Sequence, residues 1–156
     1  MTPDPLKLLD KDWMRGVGSI SRLVVSRGDG FDGKMCCLGI LGVDCGIPKA
    51  VLTNLSYPSS VDADLDDKGK ADIIRRYREP WEGYMSEDLA DTIREQFPYV
   101  AEMFNLEESK IENFTAEIND TTFLNDEERV KVLNVVFKHT IGREVEFVPE
   151  VVPAGV

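Results

Sequence analysis

The most regular hydrophobic pattern in the chain lies near its C-terminal end. Its apolar positions share the three- and four-residue spacing of one helix face: Val130, Leu133, Val136, Phe137 and Ile141. Asn125, with Glu128 three residues later, is typical of a capping box, and Gly142 is suited to end the helix. The sequence therefore predicts a helix over residues 126–141.

Two helices are predicted in the first third of the chain. Apolar residues recur at helical spacing over residues 6–17, and Gly16 and Gly18 mark the end of that stretch. Residues 35–41 are almost wholly apolar, which predicts a core helix that ends near Gly42.

Two more helices are predicted in the centre of the chain. Ser86 is a good N-cap for a helix over residues 87–96, which also has acidic residues in its first turn. Pro98 suits the start of a further helix, which would continue through Phe104.

The remaining patterns complete the expected fold. Residues 144–148 alternate as a half-buried strand does and would pair with residues 49–56. The aspartate-rich residues 59–69 predict an exposed acidic loop, and residues 149–156 predict a tail. The expected fold class is α+β and mainly helical, with four to five helices and a small two- or three-stranded antiparallel sheet. No repeat or linker divides the chain, so residues 1–156 are expected to form a single domain.

Composition places the chain among globular proteins. Of its 156 residues, 42% are hydrophobic and 30% are charged, which argues against wholesale disorder. The longest apolar stretches fall far short of the roughly 20 residues that cross a bilayer. The first residues lack the basic start and apolar run of a signal peptide. We therefore expect a cytoplasmic protein with no membrane contact.

The negative charge belongs to one part of the chain. Residues 1–46 and 47–81 each contain as many acidic as basic residues, and residues 129–156 sum to +1. Residues 82–128, called here the acidic segment, contain fourteen acidic and two basic residues and account for the formal net charge of −11. Direct binding to nucleic acid is not expected, because phosphate binding needs a basic stripe. A basic partner is expected instead.

The acidic segment repeats carboxylates at the spacing of one helix face. Glu87, Asp91 and Glu95 follow one another four residues apart, and Glu108 and Glu112 repeat that spacing. Such like-charge pairs destabilise a helix by a few tenths of a kcal/mol each, on the order of 0.2–0.5. They indicate either a solvated face that aids solubility or a surface for a basic partner. The candidate partner-binding residues are Glu87, Asp91, Glu95, Glu102, Glu108 and Glu112.

No catalytic residue, cofactor or metal is predicted. Three cysteines without a Cys-x-x-Cys pair favour buried free thiols over a disulfide framework or a zinc site: Cys36, Cys37 and Cys45. His139, the single histidine, falls in the last turn of a predicted helix, where a cap or surface role is expected.

Three segments resemble, in order, blocks of small uncharacterised proteins common in tailed phages and bacterial prophages. Residues 27–31 (Arg-Gly-Asp-Gly-Phe) and 35–41 (Met-Cys-Cys-Leu-Gly-Ile-Leu) are similar to the "GDGFCCLGVLCDL" block. In those proteins an N-terminal helix that bears a tryptophan precedes the block, and Trp13 precedes it in this chain. Residues 84–90 resemble the "LPPEVAEWAGL" helix, and residues 117–123 with the helix after them resemble the "LNDSGKSFEEIADLIE" block.

The resemblance implies a phage origin and a small, mainly helical fold, and it supplies no activity. With the acidic segment, it favours a non-enzymatic phage accessory protein that binds a basic surface of a host protein in the host cytoplasm. The most concrete version inhibits a nucleic-acid-handling or defence factor. The alternatives are a virion or assembly component and a small hydrolase, which predicts a pocket lined by perturbed carboxylates or a reactive Cys36.

Overall fold

The computed structural model describes residues 4–18, 22–25, 33–62 and 68–149, without the side chain of Lys68. The helices are α1 (Cys37–Asp44), α2 (Lys49–Leu52), α3 (Lys68–Arg78), α4 (Glu87–Gln96), α5 (Pro98–Met103), α6 (Ile111–Asp120) and α7 (Asp126–Ile141). The strands are β1 (Leu6–Leu9) and β2 (Val145–Val148), and short 3₁₀ turns are formed by Pro58–Ser60, Glu79–Trp81 and Leu106–Glu108. The described residues thus contain seven α-helices, which is more than the four to five predicted.

The sheet is parallel, so the predicted antiparallel sheet is wrong. β1 lies beside β2, with Leu6 opposite Val145 and Leu9 opposite Val148. The two strands come from opposite ends of the chain, and the helices lie between them in the sequence. Parallel strands need such a long connection, whereas a short hairpin turn joins only antiparallel strands. The prediction of a strand over residues 144–148 is confirmed, but its pairing with residues 49–56 is wrong.

The helix predicted over residues 6–17 is also wrong, because its first residues form β1. Leu6 and Leu8 are fully buried while Lys7 between them is exposed, which is the period of a strand. The spacing of the leucines is compatible with a helix and with a strand. Pairing with β2 makes this stretch a strand. After β1 the chain turns, and Trp13 forms an isolated bridge with Met35.

The other four predicted helices are confirmed within a few residues as α1, α4, α5 and α7. Ser86 caps α4 by accepting a hydrogen bond from the Leu89 N–H at 3.2 Å. Asn125 and Glu128 form the predicted capping box of α7, and Gly142 ends that helix in the left-handed conformation. Residues 63–67 of the predicted acidic loop and residues 150–156 of the predicted tail lie outside the described residues.

One apolar core joins the sheet and the helices. Every residue of α1 from Cys37 to Gly42 is buried, so this helix lies at the centre. Trp81 packs edge-on against Phe137 of α7, with ring centroids 5.0 Å apart. Among the described residues, no helix combines the length and the apolar character that crossing a bilayer would require.

A buried asparagine at the end of α6 links three parts of the chain. The Asn119 Oδ1 accepts hydrogen bonds from the Trp13 indole N–H at 2.7 Å and from the Cys37 N–H at 3.0 Å. Its Nδ2 donates to the Met14 carbonyl at 2.9 Å and to the Asp120 carboxylate at 3.0 Å. All four hydrogen-bonding positions of the amide are used, which fixes the C-terminal end of α6 against α1.

A buried guanidinium holds the same end of α6. Arg129 donates to the carbonyl oxygens of Ile118 at 2.6 Å, Asn119 at 3.1 Å and Leu124 at 2.7 Å. A cation at this position also complements the negative end of the helix dipole. The loop that follows α6 is therefore tied to the body of the protein at both of its ends.

Candidate functional site

Three of the predicted partner-binding residues lie together on α4. Glu87, Asp91 and Glu95 are exposed, while the opposite face of the helix buries Leu89 and Ile93. The four-residue spacing places the three carboxylates on one face of α4 because each step rotates by only about 40°. This face is directed to solvent.

A single arginine on α4 balances part of this charge. The Arg94 guanidinium donates to the Asp91 carboxylate at 2.9 Å and to the Glu107 carboxylate at 3.2 Å. Both pairs are exposed, and such pairs contribute little to stability. Asp91 is therefore already matched by a cation, and Glu87 and Glu95 are the more available carboxylates on this face of α4.

The other three predicted residues fall on different elements. Glu102 is exposed near the end of α5, and Glu108 is exposed at the end of a 3₁₀ turn. Glu112 is only 3% exposed on α6 and accepts hydrogen bonds from the Ser59 N–H at 3.1 Å and the Ser59 hydroxyl at 2.6 Å. Glu108 and Glu112 therefore share no helix face, and Glu112 has a structural role instead of facing a partner.

An apolar groove with a volume of about 570 Å³ opens beside α5 and α6. Most of its wall is apolar, with two carboxylates on one side. Its lining residues are Gly18, Tyr57, Met103, Phe104, Ala116, Glu117, Asp120, Thr121 and Phe123. Its volume is within the ~300–1,000 Å³ that is typical of ligand-binding sites.

Large apolar side chains are displayed at this groove. Phe123 is 79% exposed and Met103 is 42% exposed, and both line the groove. Val17, which precedes Gly18 in the chain, is 37% exposed. Leu124, the residue after Phe123, is buried, so the loop itself holds the Phe123 ring outward. Met103 and Phe123 are therefore exposed apolar side chains at one groove, and exposed apolar surface that is rimmed by polar residues marks interaction sites.

The groove has a negative electrostatic character. Partial burial raises the pKa of the Glu117 carboxyl, and no cation among the described residues offsets that rise. Burial also raises the pKa of the Tyr57 hydroxyl, and the nearby carboxylates of Glu117, Glu112 and Asp120 raise it further. A partly buried carboxylate is stabilised by an incoming cation, so this wall favours positively charged ligands.

The groove was missed by reasoning from the sequence. Tyr57, Met103 and Phe123 come from three separate segments, and no spacing relates them. The one local signal is Phe123, a large apolar residue in a run of polar residues. A single apolar residue in a polar loop is common at protein surfaces, so this signal alone does not identify a groove.

The two adjacent cysteines are buried thiols that are not activated as nucleophiles. Cys36 and Cys37 are buried, as predicted, but Cys45 is exposed, so the prediction of burial is wrong for it. Burial raises the pKa of the Cys36 thiol to about 12 and that of the Cys37 thiol well above its ordinary value. Because the thiolate is the nucleophile, neither buried cysteine is activated at neutral pH.

Thiol labelling checks this assignment. In folded protein we expect a disulfide reagent such as Ellman's reagent to modify Cys45 alone, and to modify all three thiols in denaturant. Although Cys45 is exposed, partial desolvation of its thiol and the nearby Asp44 carboxylate raise its pKa, so its reaction is expected to be slower than that of a free thiol. In the Cys45→Ser variant no fast reaction should remain, and rapid labelling of Cys36 in that variant would contradict the assignment.

The compact basic stretch of the sequence, residues 75–78, lies at the end of α3. Arg76 pairs with Asp72 at 2.8 Å, and Arg78 pairs with Glu82 at 2.9 Å. These bases are balanced locally and do not form an extended stripe with one sign of charge. No three His, Cys, Asp or Glu side chains in the described part of the chain lie close enough together to hold a metal ion.

Comparisons of the chain with protein-family models, with curated protein sequences and with solved structures find no match.

Proposed function

We propose that this chain is a non-enzymatic binding protein. The exposed carboxylates of its acidic segment bind a basic surface of another protein. The observation that carries the proposal is the exposed face of α4, on which Glu87, Asp91 and Glu95 lie together. Glu102 and Glu108 are exposed on α5 and on the 3₁₀ turn, both of which pack against α4. Complementary charges at such a surface speed association and select the partner.

In its more specific form, the proposal makes the chain a phage accessory protein that acts in the host cytoplasm. The acidic surface would cover the basic, nucleic-acid-binding region of a host defence or nucleic-acid-handling protein and inhibit it. Support comes from the resemblance of residues 27–31, 35–41, 84–90 and 117–123 to small phage proteins and from the sign of the charge.

Neutralising free carboxylates tests the proposal. The triple variant Glu87→Gln, Glu95→Gln and Glu102→Gln leaves Asp91 paired with Arg94 and removes three exposed charges. Wild-type and variant chains are immobilised and exposed to bacterial lysate at low salt, and a captured protein is purified for titration calorimetry. We expect the variant to bind that protein about tenfold more weakly, since exposed charge pairs contribute up to about 1 kcal/mol each.

A matched control separates a specific surface from net charge. The variant Glu79→Gln, Glu144→Gln and Glu146→Gln removes the same number of exposed charges from outside the acidic segment. It should bind like the wild type, and high salt should weaken wild-type binding by screening. Equal affinity of the two triple variants for the captured protein would contradict the proposal.

The hydrolase alternative has one observation in its favour, the raised pKa of Glu117 beside Asp120 in the groove. The Asp120 carboxylate, however, accepts a hydrogen bond from Asn119, and no imidazole or thiol is among the groove's lining residues within the described chain. Binding therefore explains the groove better than nucleophilic catalysis does.

A further inference from the structure

We propose that the apolar groove beside α5 and α6 anchors one aromatic or large aliphatic side chain of the partner, in a segment where lysine or arginine flanks that side chain. The inference rests on the proposed function, because it assigns the groove to the same basic partner. It adds a site of contact that the exposed carboxylates of α4 do not contain.

The apolar part of the groove accounts for the anchor. Met103 and Phe123 remain exposed at its edge, and a ligand that covers them would remove apolar surface from water. Phe104 also lines the groove, and its ring packs edge-on against Phe114 with centroids 5.5 Å apart, so this part of the lining is held by the core. Aromatic and large aliphatic side chains are the usual anchors in pockets of this kind.

The charge of the groove accounts for the flanking cations. Glu117 is exposed at the wall, and its carboxylate has no cationic partner among the described residues. Asp120 also lines this side, but it is 7% exposed and its carboxylate accepts a hydrogen bond from Asn119, so Glu117 is the carboxylate that a ligand would meet. A lysine or arginine next to the anchor would reach this wall, whereas an acidic flank would be repelled.

The groove is also fixed before any ligand arrives. Asp120, in its wall, follows Asn119, whose amide makes four hydrogen bonds. The Gly18 N–H donates to the Asp120 carbonyl at 2.8 Å, which holds a second part of the lining. A preformed pocket loses less conformational entropy on binding than a pocket that its ligand must order.

Three blocked pentapeptides test the inference by NMR titration of labelled protein. Lys-Arg-Trp-Arg-Lys carries the anchor and the cations, Lys-Arg-Gly-Arg-Lys lacks the anchor, and Glu-Asp-Trp-Asp-Glu reverses the charge. We expect the first to bind at least about tenfold more tightly than the second. Its shift changes should centre on the amides of Ala116, Glu117, Thr121 and Phe123. The acidic peptide should not shift these amides.

Matched variants assign the two parts of the groove. Phe123→Ala should abolish the difference in affinity between the tryptophan peptide and the glycine peptide. Tyr84 is another exposed aromatic residue, and Tyr84→Ala should leave that difference unchanged. Glu117→Gln should lower the affinity for the tryptophan peptide by up to about fivefold. Glu127→Gln on α7 should leave that affinity unchanged.

The outcomes separate this inference from the proposed function. If both basic peptides bind equally and both lose affinity in the variant Glu87→Gln, Glu95→Gln and Glu102→Gln, the groove has no anchoring role while the acidic surface remains a binding site. If the tryptophan peptide binds but the acidic peptide shifts the same amides equally, the requirement for flanking cations is wrong. If neither basic peptide binds, the groove assignment fails, whereas the acidic surface is tested separately by the two triple variants and the captured protein.

Discussion

Replacing Asn119 with leucine is expected to lower the free energy of unfolding by about 4 kcal/mol. Leucine has a similar shape and fills the same space, so the loss is polar and leaves no large cavity. It would leave the Trp13 indole N–H, the Cys37 N–H and the Met14 carbonyl without their buried partner. Each such orphaned group costs about 1–3 kcal/mol. Denaturant titration followed by circular dichroism measures the change.

Asn113 provides the matched control for this substitution. It lies on the same helix, α6, but is exposed, so Asn113→Leu is expected to change stability by less than about 0.5 kcal/mol. If Asn119→Leu proved as mild as Asn113→Leu, the Asn119 network would not be the link between α1 and α6 that its hydrogen bonds indicate.

The parts of the fold that could be predicted are those with local signals. Ser86 and Asn125 cap α4 and α7 through hydrogen bonds to residues three positions away, and Gly142 ends α7 by its own backbone conformation. These interactions are encoded in a few consecutive residues, so reading the sequence finds them. The boundaries of α4 and α7 follow directly.

The parts that could not be predicted depend on contacts between distant residues. The stretch that begins at Leu6 has a helical spacing of leucines, yet it forms β1 because β2, almost 140 residues away, supplies a parallel neighbour. Nothing near Leu6 encodes that neighbour. Glu112 was likewise assigned to the surface by its spacing from Glu108, while its partner is Ser59 in a remote turn.

The site was predictable in its charge and not in its shape. The exposed face of α4 followed from the spacing of Glu87, Asp91 and Glu95. The groove did not, because its lining comes from several segments that only the folded chain brings together. An acidic segment can be read from a sequence, but the apolar surface beside it cannot.

The net charge of the acidic segment is larger than the negative charge that is available to a partner. Glu112 is buried against Ser59, and Asp126 pairs with Arg15 at 2.9 Å. That pairing, chiefly the hydrogen bond from Arg15, lowers the pKa of Asp126, so this carboxylate contributes stability that is lost as the pH falls through its lowered pKa. Carboxylates such as Glu87 and Glu117 remain for binding, and they lie on α4 and at the groove.

Replacing Gly39 with alanine is expected to prevent stable folding, at a cost of at least about 4 kcal/mol. A Cβ atom at position 39 would lie 1.7 Å from the Leu23 carbonyl oxygen and 2.5 Å from its carbonyl carbon. These are backbone atoms, so no side-chain rotation can relieve the clash. The neighbouring Cys36 N–H donates to the Arg22 carbonyl at 3.2 Å, which holds this segment against α1. A thermal melt measures the loss as a lowered or absent cooperative transition.

Gly83→Ala is the control that isolates the clash from the general effect of adding a methyl group. A Cβ at position 83 would meet no atom within 4 Å, so alanine there should be neutral or stabilise the protein by up to about 1 kcal/mol. The melting temperature of Gly39→Ala should therefore be far below that of Gly83→Ala under the same conditions. Equal melting temperatures would mean that α1 is not packed directly on the backbone of residues 22–25. The central position of α1 in the core would then have to be revised.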